Sequence, residues 1–117
     1  MGDRGSINII CKKTKDVSVT LFRHWQGNAA SMIKLCEKTK KEFIANRINQ
    51  PFNQVAEIIA RATKIAVEQD GYSAYLGKDE KDGDNSDNGH FTLFVPENAD
   101  TKEWVLKQGE IIIARLK

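Results

Sequence analysis

The stretch LFRHWQGN, Leu21 to Asn28, sets a guanidinium, an imidazole and an indole side by side at Arg23, His24 and Trp25, just before Gly27. Those three groups bind anions, move protons and stack on rings. What they can do together depends on what lies opposite them. Ser6–Cys11 (SINIIC) and Val17–Arg23 (VSVTLFR) are β-rich and are joined by the polar KKTKD, which reads as a hairpin. With Cys11 against Val17, Ile9 faces Val19 and Ile7 faces Leu21, so the odd positions form one apolar face. The same frame puts Gly5 opposite Arg23, Arg4 opposite His24 and Asp3 opposite Trp25. Asp3, Arg4, Arg23, His24, Trp25 and Gly27 are therefore the candidate ligand-binding residues. In this reading Arg4 and Arg23 hold an anion, Trp25 stacks on a ring, and the amides of the following helix add positive potential, which suits a nucleotide-like ligand. An Asp3–Arg23 ion pair with Trp25 capping the core is the purely structural use of the same groups.

A catalytic alternative is a small hydrolase or transferase using His24 with Asp3 or Ser6, although alternation sends Asp3 to the opposite face and no nucleophile elbow is visible. No metal or cofactor is expected. Cys11, Cys36, His24 and His90 lack the clustering a zinc site needs. The loop DGDNSDNG has the first half of a calcium loop, but an EF-hand starting at Asp84 would require a glutamate where Val95 stands. Walker and dinucleotide patterns are absent.

The elements that must position the corner are readable from periodicity. Met32, Leu35, Cys36, Thr39 and Phe43 recur at helical spacing behind Asn28 or Ser31 as N-cap. Phe52, Val55, Ile59, Ala62 and Ala66, flanked by Ile58 and Ile65, form a second stripe that starts near Asn49 and Pro51 and closes at Gly71. YSAYLG and FTLFVP read as strands around a mobile acidic hairpin loop over 78–90, and EWVLK and EIIIARL follow. Gln108-Gly109 closes the last hairpin with Lys107 facing Glu110. The fold class is α+β, with about five strands in the order β-β-α-α-β-β-β forming a mostly antiparallel sheet and two helices on one face.

At 117 residues and a net charge of +2, the chain suits one domain over 1–117 and carries too little charge to argue for nucleic acid or membrane by itself. No segment has the length of a membrane span and the N-terminus lacks a secretory core, so a cytoplasmic location is expected, with Cys11 and Cys36 as buried free thiols. MGDRGS fits the N-myristoylation template, with Asp3 an unfavourable neighbour for the acceptor glycine. Helix 28–47 carries Lys34, Lys38 and Lys41 on one stripe, with Lys40 and Arg47 nearby, and offers a second alternative, nucleic-acid binding. The interleaved Glu37 and Glu42 favour a solvated face instead. Ile10 and Phe22 stand on the even face of the hairpin, which no helix covers in this arrangement, and point to a homodimer through that face.

The opening Met-Gly-Asp-Arg, a strand, and then His-Trp-Gln-Gly ahead of two helices resembles a family of small, often phage-encoded proteins that open Met-Gly-Asp/Asn-Arg and carry His-Trp-x-Gly. The resemblance covers about the first 30 residues and singles out Gly2, Asp3, Arg4, His24, Trp25 and Gly27. It implies a phage-like origin and no particular chemistry. The expected function is a non-enzymatic binding protein for a host protein or a small anionic ligand.

Overall fold

The computed structural model describes residues 2–46, 54–99 and 102–117. Its elements are β1 (Gly5–Cys11), β2 (Asp16–Val17), β3 (Thr20–Arg23), α1 (Ala29–Ala45), α2 (Gln54–Asp70), β4 (Tyr75–Gly77), β5 (His90–Val95), β6 (Trp104–Gln108) and β7 (Ile111–Leu116). The architecture is the expected α+β one, a mostly antiparallel sheet with helices packed against it, but with seven strands in place of about five. The added strands are short β2, split from β3 by an irregularity, and the second strand of the last hairpin, since EWVLK and EIIIARL both form strands, β6 and β7.

Both helical stripes are buried as their spacing dictates. Met32, Leu35, Cys36, Thr39 and Phe43 of α1, and Val55, Ile58, Ile59, Ala62, Ile65 and Ala66 of α2, meet Ile7, Ile9, Cys11 and Leu21 of the sheet. Asn28 caps α1, its side-chain oxygen accepting from the Ser31 amide at 2.8 Å. Gly71 leaves α2 at φ +63°. The proposed start of the second helix at Asn49 and Pro51, together with Phe52 and Arg47, lies outside the described residues. Trp104 fills the far end of the core, packed edge-on against Phe43 with its indole N–H donating to Ala99 O at 2.7 Å. Lys40, read as part of the basic face, is instead buried. Its ammonium donates to Leu116 O at 2.6 Å and Lys102 O at 3.1 Å, and its removal from water lowers its pKa.

The sheet order is β4-β3-β1-β5-β6-β7, with β2 on β1. The first hairpin follows the expected frame at its open end, where Gly5, Ser6 and Ile7 face Arg23, Phe22 and Leu21. Near the turn it slips by one, so Ile10, not Cys11, faces Val17. Ser18 sits at the slip: its amide donates to Ile9 O at 2.9 Å and its hydroxyl, in place of a backbone carbonyl, accepts from Ile9 N at 2.8 Å, where the β2–β3 strand carries one residue more than β1. Val17 and Val19 consequently point to solvent and not to the core face. The last hairpin also differs from expectation. Gln108 faces Ile111 and Lys107 faces Ile112, so the turn is Gly109-Glu110, with Gly109 at φ +61° taking the position that a two-residue turn reserves for glycine.

The largest departure is at β5, which pairs parallel to β1 and not with β4, a neighbour of β3 on the other side. The acidic segment is therefore not a hairpin loop. It crosses β3 and β1 on the face away from the helices. Phe22 lies beneath it, fully buried, stacked on Tyr75 with centroids 5.0 Å apart, and so near Gly83 that a Cβ there would stand 2.8 Å from the ring. That cover removes Phe22 from any dimer face.

Candidate functional site

The N-terminus does lie along the end of β3. Asp3 N–H donates to His24 O and Gly27 N–H donates to Asp3 O, both at 2.7 Å. Gly5 and Gly27 touch backbone to backbone, and a Cβ on Gly27 would stand 2.1 Å from Gly5 N. The structure thus brings Asp3, Arg4, His24, Trp25 and Gly27 together at one corner. Trp25 is half exposed and meets His24 edge-on, centroids 4.5 Å apart at 67°. The Asp3 carboxylate accepts from the side-chain amides of Asn28 and Asn88, which hold its pKa below the usual carboxylate value.

The two arginines do not converge. Arg23 turns to the helix side, where its Nε donates to Asp70 Oδ2 at 2.8 Å and its Nη2 to Gln69 Oε1 at 2.7 Å, with both charged side chains fully buried. Asp70, and not Asp3, is thus its ion-pair partner. Arg4 takes the opposite face, and its guanidinium meets Asp87 at 2.9 Å and Asp84 at 2.7 Å. Hydrogen bonding to Asp87 raises the Arg4 pKa further. Asp87 is lowered mainly by the Arg4 backbone N–H, and Asp84 mainly by hydrogen bonds from Ser86. An anion cradle of Arg4 with Arg23 is not formed, because strand alternation separates them and each already holds a carboxylate.

The catalytic pairing of His24 with Ser6 is not formed either. Ser6 Oγ lies 2.7 Å from Nδ1 of the other histidine, His90, and accepts from Asn85 Nδ2 at 2.9 Å. His90 Nε2 is 3.0 Å from Asn8 Oδ1. Since that oxygen only accepts, the imidazole proton sits on Nε2, Nδ1 accepts, and the Ser6 hydroxyl donates to it. Burial pushes the His90 pKa down and so favours this neutral form. Ser6 is wholly buried, and the network ties the crossing segment to β1. Spacing gave no hint of it, because Ser6 and His90 meet only through the parallel β1–β5 pairing.

Beyond that cover the helix-free face is open. Ile10, Phe94, Val105 and Arg115 form a row across β1, β5, β6 and β7. The Phe94 ring is half-buried and carries two ammonium groups, Lys12 Nζ at 4.8 Å and Lys107 Nζ at 5.3 Å from its centroid. Among the described residues neither lysine has a carboxylate within ion-pair distance. The depression here has a volume of about 590 Å³ and is also lined by Lys13, Lys102 and Arg115 and by the carboxylates of Glu97 and Glu103. A second groove of about 790 Å³ runs between α1 and β7, lined by Lys34, Glu37, Lys38, Lys41, Arg115 and Lys117. Among the described residues there is no group of three His, Cys, Asp or Glu able to hold a metal ion, and no helix long and apolar enough to cross a membrane. Comparison with protein families, curated proteins and solved structures finds no match to this chain.

Proposed function

We propose that the protein is a non-enzymatic binder of a small nucleotide-like anion, held on the open half of the helix-free face. The observation that carries this reading is the Phe94 ring flanked by Lys12 and Lys107, two cations drawn to one aromatic surface with, among the described residues, no carboxylate within ion-pair distance of either. Like charges beside one ring repel, and a phosphate between them relieves that repulsion while a base covers the ring. Ile10 and Val105 extend the apolar floor on either side of Phe94. The Asp3/Arg4/His24/Trp25 corner serves the fold by anchoring the N-terminus and the acidic crossing segment. The Met-Gly-Asp-Arg and His-Trp-Gln-Gly motifs support a phage-like setting.

Calorimetric titration with a nucleoside monophosphate tests the reading. Phe94→Leu should weaken binding by about 1–3 kcal/mol through lost stacking, and Lys12→Gln with Lys107→Gln should weaken it and flatten its salt dependence. Arg4→Gln should leave the affinity unchanged. Equal affinity in the parent and the Phe94 and lysine variants, or no binding in the parent, would rule the proposal out.

A further inference from the structure

The Phe94 depression and the α1 groove lie on different sides of β7, the edge strand of the sheet, yet Arg115 lines both. Its guanidinium is exposed and pairs with Glu103 at 2.9 Å, a contact that a phosphate would share or displace. Beyond it, Lys34, Lys38 and Lys41 follow one another at intervals of four and three along α1, so they stack in a single row beside β7. Lys40, one residue away, is withdrawn into the fold to bind the carbonyls of Leu116 and Lys102, which locks α1 against the end of β7 and holds that row in place. Cations thus continue from an aromatic platform, around a sheet edge, onto a helix. Carboxylates share these walls, Glu97 and Glu103 in the depression and Glu37 in the groove, while the larger acidic run of Asp79, Glu80, Asp82, Asp84 and Asp87 lies over the other half of the sheet.

We propose that the occupant is single-stranded nucleic acid, with one base on Phe94 and the adjoining phosphates led past Arg115 onto Lys34, Lys38 and Lys41. This rests on the nucleotide reading above and extends it from one nucleotide to a strand. An aromatic ring can stack only on a base freed from its duplex, and a path that bends around a sheet edge demands a flexible backbone. A lone anion would use the platform and leave the α1 row without a partner. The combination of stacking ring and cationic track is what sequence-tolerant strand binders employ.

The test compares fluorescence anisotropy for a labelled oligodeoxythymidine of about 8 nucleotides, a duplex of the same length and a labelled mononucleotide. The single strand should bind at least about tenfold tighter than either of the others. Lys38→Glu with Lys41→Glu, both exposed positions, should weaken oligomer binding, cut the slope of log affinity against log salt by about 1.4, and spare the mononucleotide. Phe94→Leu should weaken both. Mononucleotide binding with no gain on lengthening, a duplex bound as tightly as the strand, or a groove variant without effect overturns the strand inference alone. Oligomer binding indifferent to Phe94→Leu overturns it together with the nucleotide reading, as does the absence of any binding. Melting curves that match the parent's establish that the variants are folded.

Discussion

Replacing Arg23 by Met probes whether this arginine belongs to the fold or to a ligand site. Arg23 and Asp70 both have fully buried side chains, and the carboxylate accepts from Arg23 Nε at 2.8 Å and from Gln26 Nε2 at 3.0 Å. Methionine fills much of the volume but leaves a buried carboxylate with one neutral donor, a defect that costs about 3–5 kcal/mol. Part is returned, because Arg23 Nη1 is itself buried with no hydrogen-bond partner among the described residues, and its removal relieves on the order of 1 kcal/mol. The net expectation is a loss of roughly 2–4 kcal/mol out of the 5–15 kcal/mol usual for a domain. At about 4 °C per kcal/mol for a chain of this size, that is a fall in Tm of about 8–16 °C. Urea titration followed by tryptophan fluorescence measures it. Arg23→Met with Asp70→Leu should recover most of the loss, since an apolar pair asks for no solvation. A single variant within about 1 kcal/mol of the parent would refute the argument, because the ion pair would then carry no desolvation debt. A folded Arg23→Met protein that has lost nucleotide affinity would return the residue to the binding site.

Gly27→Ala should destabilise by at least about 3 kcal/mol in the same assay, since the new Cβ would stand 2.1 Å from backbone that no side-chain rotation can move. The pKa of His90 is depressed below its ordinary 6.5, so the unfolded chain binds the extra proton first as pH falls. The stability this group contributes is complete above 6.5 and is lost as pH drops towards the folded value; melting curves across that window should show the loss, and His90→Gln should remove it. Asp3, Asp84 and Asp87 are lowered from 3.8, so their contribution fails only in a separate, more acid window. Cys11 and Cys36 are both free and buried, and burial raises the Cys36 thiol pKa, so a thiol-specific chromogenic reagent should find neither in the native protein and both in urea.

Local pattern determined a good deal. The stripes Met32–Phe43 and Val55–Ala66, the Asn28 cap, the Gly71 exit and the Ile7/Leu21 frame follow from periodicities of 3.6 and 2, which need only neighbouring residues to be expressed. From that frame the meeting of Asp3, His24, Trp25 and Gly27 was legible too. Its chemistry was not, because Arg23 is satisfied by a residue 47 positions away and Arg4 by residues 80 and 83 away. One local detail escaped for another reason: the register shifts by one at Ser18, where a side-chain hydroxyl stands in for a backbone acceptor of Ile9 N, and Val17 and Val19 are exposed. What only the tertiary structure decided is the parallel laying of β5 on β1. That one pairing joins Ser6 to His90, draws the acidic segment across Phe22, and sets Phe94 between lysines carried by β6 and by the turn that follows β1. Hydrogen bonds between distant strands are chosen by burial of both their faces at once, and no window of sequence contains the two faces.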